Sequence, residues 1–156
     1  MGDIARTIGL VPASPFLRER CFLLALLAGI GFWGGLALSV PLRPISLPQL
    51  LTWPFWSLAV WHPIAEELIF RGFLQGQLLD TAWGRRTVAG LSCANGLTTA
   101  LFVIGHFWQH PPLWALGVVL PSLAFGYVRD RYGSIYPAIV LYIVYNVGYF
   151  GLTGLP

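Results

Sequence analysis

"LLTWPFWSLAVWHPIAEELIFRGFLQGQLL", residues 50–79, is a hydrophobic stretch that carries two glutamates and an arginine. Its length and its charge together decide the fold. A bilayer core takes about 20 apolar residues per helix, so the stretch is too long for one simple span. It also contains Pro54 and Pro63. Proline suits the first turn of a helix, where its missing N–H would be unpaired anyway. The pattern predicts an entering helix to about Trp61, a break or kink, and a second helix from Pro63 to about Leu79.

The rest of the chain points the same way. It is 56% hydrophobic and 10% charged, with a mean hydropathy of +0.71, whereas soluble domains are about 25% charged. Seven Trp and six Tyr fit anchors at the membrane–water interface. All nine basic residues are arginine. They sit beside apolar spans and form no run interleaved with aromatics, so no nucleic-acid partner is expected despite a pI near 9.2. Cys21 and Cys93 make neither a zinc spacing nor a disulfide framework.

Four further spans are expected at about 21–40, 88–107, 113–128 and 137–152. The first exceeds the roughly 7–15 apolar residues of a signal-peptide core. Its Gly31 and Gly35 form a GxxxG that permits close helix contact, although such pairs are common by chance. The expected fold is all-α: a polytopic transmembrane helix bundle of about five spans with a kinked or broken second hydrophobic region. Residues 1–156 read as one domain, with a cytoplasmic N-terminal segment at 1–20 and a motif-bearing core at 63–148. With the N-terminus inside, Arg6, Arg18, Arg20, Arg85, Arg86, Arg129 and Arg131 face the cytoplasm and Arg43 alone lies outside. The positive-inside rule therefore predicts an integral protein of the inner (cytoplasmic) membrane, N-terminus in and C-terminus out.

A charge at a span centre costs about 2.5–3.5 kcal/mol, so Glu66, Glu67 and Arg71 must pair or face a wet interior. Glu67 and Arg71 are one turn apart on the same helix face in the favourable acid-first order. Glu66 lies about 140° around from Arg71 and is left for other work; the plainer alternative is that both glutamates only neutralise arginines. Asn95, Thr99, Phe102 and His106 recur at helical spacing and should face the bundle. Tyr142, Asn146 and Tyr149 share a face of the last span, where an asparagine can glue helices or donate to an oxyanion.

These stretches together resemble the CPBP family of intramembrane proteases, which includes the CAAX prenyl endopeptidases and the bacterial Abi (bacteriocin self-immunity) proteins. The family's EExxxR motif matches Glu66, Glu67 and Arg71. Its FxxxH matches Phe102 and His106, and its later segment is similar to "FGYVRDRYGSIYPAIVLYIVYN", residues 125–146. The chain departs at the family's last histidine, which is Tyr142 here; Asn146 is retained. The resemblance implies a peptidase site of Glu66, Glu67, Arg71, His106, Tyr142 and Asn146, with Glu66 as general base. His106 and Asn146 would hold water or the oxyanion, and Tyr142 would donate a proton. No cofactor is expected. Zinc is disfavoured because catalytic zinc takes three protein ligands and the last histidine is replaced; a metal, if present, would rest on Glu66 and His106. His62, one turn before Glu66, could supply a replacement imidazole, but a helix cap or interface residue is the preferred reading. His110 looks like a loop residue without a role. The implied partners are membrane lipid and a membrane-anchored or C-terminally tagged protein or peptide. The competing reading is a non-catalytic membrane scaffold or bacteriocin-immunity factor on the same fold. A transporter would need a second copy of the charged segment.

Overall fold

The computed structural model describes residues 2–39, 41–108 and 110–156; Val40, the last residue of the expected first span, lies outside them. The helices are α1 (Gly2–Thr7), α2 (Arg20–Ser39), α3 (Leu47–Leu50), α4 (Trp53–Trp56), α5 (His62–Glu67), α6 (Gln75–Leu79), α7 (Cys93–His106), α8 (Pro112–Gly117), α9 (Val119–Tyr132) and α10 (Tyr136–Thr153). A 3-10 turn (Phe16–Arg18) precedes α2, and a small hairpin of β1 (Thr87–Val88) and β2 (Leu91–Ser92) precedes α7. The protein is an all-α membrane-type bundle. Among the described residues, three helical segments are long and apolar enough to cross a membrane: Arg20–Ser39, Pro112–Tyr132 and Tyr136–Thr153.

The deciding stretch does not break. α4, α5 and α6 are joined by two π-helical segments, Ser57–Trp61 and Leu68–Leu74, and every junction residue keeps right-handed helical dihedrals. The result is one rod over 53–79. Of the break or kink expected at Pro63, the break is corrected by this geometry: a wider turn takes its place. A proline ring collides with the carbonyl four residues back and offers it no N–H. The wider turn just ahead of Pro63 relieves that conflict, because the His62 N–H bonds to the Ser57 carbonyl, five residues back. The helical backbone therefore runs through the proline without leaving right-handed helical dihedrals.

The expected third span begins later than its hydropathy suggests. Ala89 (φ 51°) and Gly90 (φ 82°) are both left-handed, the pattern of a tight hairpin turn. β1 and β2 pair across it, Thr87 with Ser92 and Val88 with Leu91. Ser92 then caps α7 by accepting the Asn95 backbone N–H, which starts the helix at Cys93. With 14 residues, α7 reaches about 21 Å, short of the ~30 Å hydrocarbon core.

Phe22, Phe125, Val128, Ala138, Leu141 and Tyr145 form the core where α2, α9 and α10 meet. The glycine contact in α2 is Gly29, where an added Cβ would fall 2.5 Å from the Tyr145 ring; nothing lies within 4 Å of Gly31 or Gly35. The Trp33 indole N–H donates to the Tyr145 carbonyl at 3.2 Å, and Gly148 makes room for that indole.

The two ends of the bundle are tied differently. At one end Thr7 donates to Asp80, Arg129 donates to the Thr7 carbonyl at 2.7 Å, and the Ile135 N–H reaches the Gly9 carbonyl. At the other, the Arg43 and Ile45 N–H groups bond to the Leu152 and Gly151 carbonyls.

Candidate active site

The rod's charged residues divide between two tasks. Glu67 and Arg71 are fully buried, with Glu67 Oε1 and Arg71 Nη1 3.2 Å apart. The pairing is Coulombic in geometry, since neither atom meets hydrogen-bond alignment. Arg71 Nη2 also donates to the Ser122 carbonyl at 3.0 Å and to Ser122 Oγ at 2.8 Å. The network continues across α9 and α7: Ser122 Oγ donates to Thr99 Oγ1, Thr99 to Asn95 Oδ1, and Asn95 Nδ2 to the Leu123 carbonyl. α7 and α9 come this close because residue 126 is glycine; a Cβ there would overlap the Asn95 side chain. One turn further, Gln75 donates to the Gly126 carbonyl and to Asp130. The guanidinium of Arg71 lies 4.7 Å from the Phe102 ring centroid, where cation–π attraction adds to the pairing. Three of the four stripe residues expected to face the bundle, Asn95, Thr99 and Phe102, are buried, and His106 is half-buried.

Glu66 takes the other task. It is half-buried, and its Oε2 accepts the Tyr142 hydroxyl at 2.6 Å. Tyr142 stacks on Phe125 at 4.9 Å and meets Phe102 edge-on at 6.2 Å. Phe102 is the hub of the site, because its ring also packs against Phe70 at 5.0 Å and His106 at 4.4 Å. His106 Nδ1 lies 2.9 Å from the Phe102 carbonyl. A carbonyl only accepts, so Nδ1 carries the hydrogen of this bond, and Nε2 makes no hydrogen bond among the described residues.

Asn146 is held by the rod. Its Nδ2 donates to the Leu58 carbonyl at 3.1 Å. Leu58 lies in the first π-helical segment. In that wider register its carbonyl would take the N–H of residue 63, which is proline and has none. The asparagine fills the vacancy and keeps one N–H for other use. His62 is exposed and the rod passes through it without a side-chain cap, which corrects the capping reading.

His110 lies in the loop after α7, as its sequence context suggests, but it is not isolated there. Its ring stacks 5.7 Å from His106 and 4.1 Å from Trp114, and the Trp114 indole donates to the Tyr149 hydroxyl at 3.1 Å. Burial and the His106 imidazole hold His110 below its ordinary pKa, while the Glu66 charge pulls the other way. The available signal was spacing: His106 and His110 are one helical turn apart, and the His110 N–H continues that turn to the His106 carbonyl. Among the described residues, no three His, Cys, Asp or Glu side chains gather closely enough to hold a metal ion. The donor set therefore does not fit a zinc held by three protein ligands, and no step below is routed through one.

Comparison with known proteins gives one match. A family model described as type II CAAX prenyl endopeptidase, Rce1-like, covers residues 48–148, which includes Glu66, Glu67, Arg71, His106, Tyr142 and Asn146. No curated protein and no solved structure matches the chain.

Proposed function

Because the chain belongs to the Rce1-like family of type II CAAX prenyl endopeptidases, we propose that it is an intramembrane endopeptidase in which Glu66 activates the attacking water. Membership indicates an intramembrane CAAX-type protease in general terms. The finer reading rests on one observation: the Tyr142 hydroxyl holds Glu66 Oε2 at 2.6 Å and leaves Oε1 without a protein partner among the described residues.

In this mechanism Oε1 takes a proton from water while the His106 Nε2 lone pair positions it. The resulting hydroxide bonds to the substrate carbonyl carbon, and the C=O π pair moves onto oxygen. When that pair returns, the C–N bond breaks and the amine nitrogen takes the proton that Glu66 had accepted. The oxyanion needs donors. In this reading Tyr142 is engaged by Glu66 and His106 Nε2 by the water, so the donors left are the second N–H of Asn146 and the N–H of His110. The His110 ring makes no hydrogen bond among the described residues. Glu67 and Arg71 fix the rod that carries Glu66. The substrate is a membrane-anchored or C-terminally tagged protein cut near the membrane, in lipid of the cytoplasmic membrane, with the N-terminus inside and the C-terminus outside.

A second reading, a membrane scaffold or immunity factor, draws on the same contact: with Tyr142 on Glu66 and Arg71 on Glu67, both carboxylates have structural partners. Purified protein incubated with peptides from neighbouring-gene products, with and without chelator, separates the two. Cleavage by wild type and its loss in Glu66→Ala, with the variant still folded at the assay temperature, supports the peptidase; no cleavage by wild type supports the scaffold.

A further inference from the structure

The substrate's side of approach is written in the distribution of the site along the bundle. α10 runs from Tyr136, beside the Ile135–Gly9 tie, to Thr153, beside the Leu152–Arg43 tie. Along it Tyr142, Asn146 and Tyr149 stand about 9, 15 and 20 Å from Tyr136. The site climbs with them: Glu66 at Tyr142, Phe102 beside it, His106 stacked on Phe102, then His110 and Trp114 at the level of Tyr149. Beyond His106 the chain turns through a loop where Trp108 is 93% exposed. Approach from the opposite end meets Glu67, Arg71, Gln75 and Ser122, each fully buried, with Thr99 5% exposed. Arg129 then ties the Arg71 carbonyl to the Thr7 carbonyl. This polar plug closes the bundle below Glu66.

The arginines lie at the plugged end. Arg6 is in α1, Arg18 and Arg20 lead into α2, Arg85 and Arg86 follow α6, and Arg129 and Arg131 close α9. Arg43 alone lies at the open end. Seven arginines against one at the ends of the spans is the bias that keeps the richer side in the cytoplasm.

We propose that the site opens to the extracytoplasmic face, and that its substrates are segments of exported proteins lying at the outer leaflet rather than cytoplasmic lipidated chains. The substrate class rests on the peptidase reading; the face does not. The test uses the full chain in its own cytoplasmic membrane, with Cys21→Ser and Cys93→Ser as background. Trp108→Cys and Arg85→Cys, both at exposed positions, are treated with a membrane-impermeant maleimide in intact spheroplasts and after lysis. The expected result is Trp108→Cys labelled equally in both and Arg85→Cys labelled only after lysis. The reverse pattern overturns the proposal. If either variant is not inserted, alkaline phosphatase fused after Pro156 decides: active enzyme supports the outward face, and inactive enzyme overturns it. Loss of the peptidase reading shows separately, as equal cleavage by wild type and Glu66→Gln, and leaves the labelling result standing.

Discussion

Arg71→Met should unfold the bundle far more readily than Glu66→Gln, although both remove a charge from the same rod. Arg71 and Glu67 are fully enclosed and 3.2 Å apart. Removing the guanidinium leaves a buried carboxylate without its counter-charge, a change that costs about 3–5 kcal/mol. It also strands the Ser122 carbonyl, which accepts from Arg71 Nη2. In a chain of this size about 1 kcal/mol moves the midpoint by about 2–4 °C, so the expected fall in Tm is roughly 6–20 °C. Glu66→Gln keeps an acceptor for Tyr142 and exchanges a charged hydrogen bond for a neutral one, about 1–2 kcal/mol. The assay is thermal unfolding in detergent or bicelles, followed by tryptophan fluorescence, for both single variants and for Glu67→Gln/Arg71→Met. The double variant should recover a large part of the Arg71→Met loss, because the stranded charge is gone. Arg71→Met melting within a degree or two of wild type, or a double variant that is simply additive, would show that the pair is not a buried structural unit.

Other expectations follow from single contacts. Tyr142→Phe removes the donor on Glu66 Oε2 and should lower kcat by about tenfold or more with KM little changed, read by initial rates on any peptide the wild type cleaves. His110→Phe keeps the ring stack but removes the N–H; if His110 serves the oxyanion, kcat falls about 10²-fold and His110→Gln recovers part of it. Equal rates for Phe, Gln and wild type would reduce His110 to packing. Gly126→Ala drives a methyl into the Asn95 side chain and should destabilise by about 1–3 kcal/mol in the same melting assay. Chelator should leave cleavage unchanged, given a donor set that falls short of three ligands; loss restored by added zinc would contradict the site as built.

How far the sequence carried the structure depends on the kind of signal. Glu67 and Arg71 meet as expected because helical spacing alone brings residues four apart together. The stripe from Asn95 to Phe102 faces inward because polar groups have nowhere else to go in lipid. The last span matches to within a residue at each end, because proline opens it and nothing interrupts its hydropathy. Other features depend on partners that a one-dimensional pattern does not name. Pro63 read as a break or kink, since nothing in the residues announces the π register that carries the helix through it. Val88 read as helix because hydropathy does not see the left-handed Ala89–Gly90 turn. Gly31 and Gly35 had the familiar spacing, but the contact fell on Gly29, whose meaning comes from Tyr145 on another helix. His106 was found by its spacing, whereas the hydrogen on its Nδ1 is directed by a carbonyl of its own chain that no spacing announces.

The bond from Asn146 to Leu58 links two positions that no local rule connects. The amide at 146 stands in for a hydrogen that the imino acid at 63 cannot supply. In any relative where residue 63 regains its hydrogen, that carbonyl is satisfied from within the rod, and selection on 146 is released from one of its duties. The two positions should therefore drift as a pair, and a lineage that changes one without the other would carry either a hungry carbonyl or an idle amide.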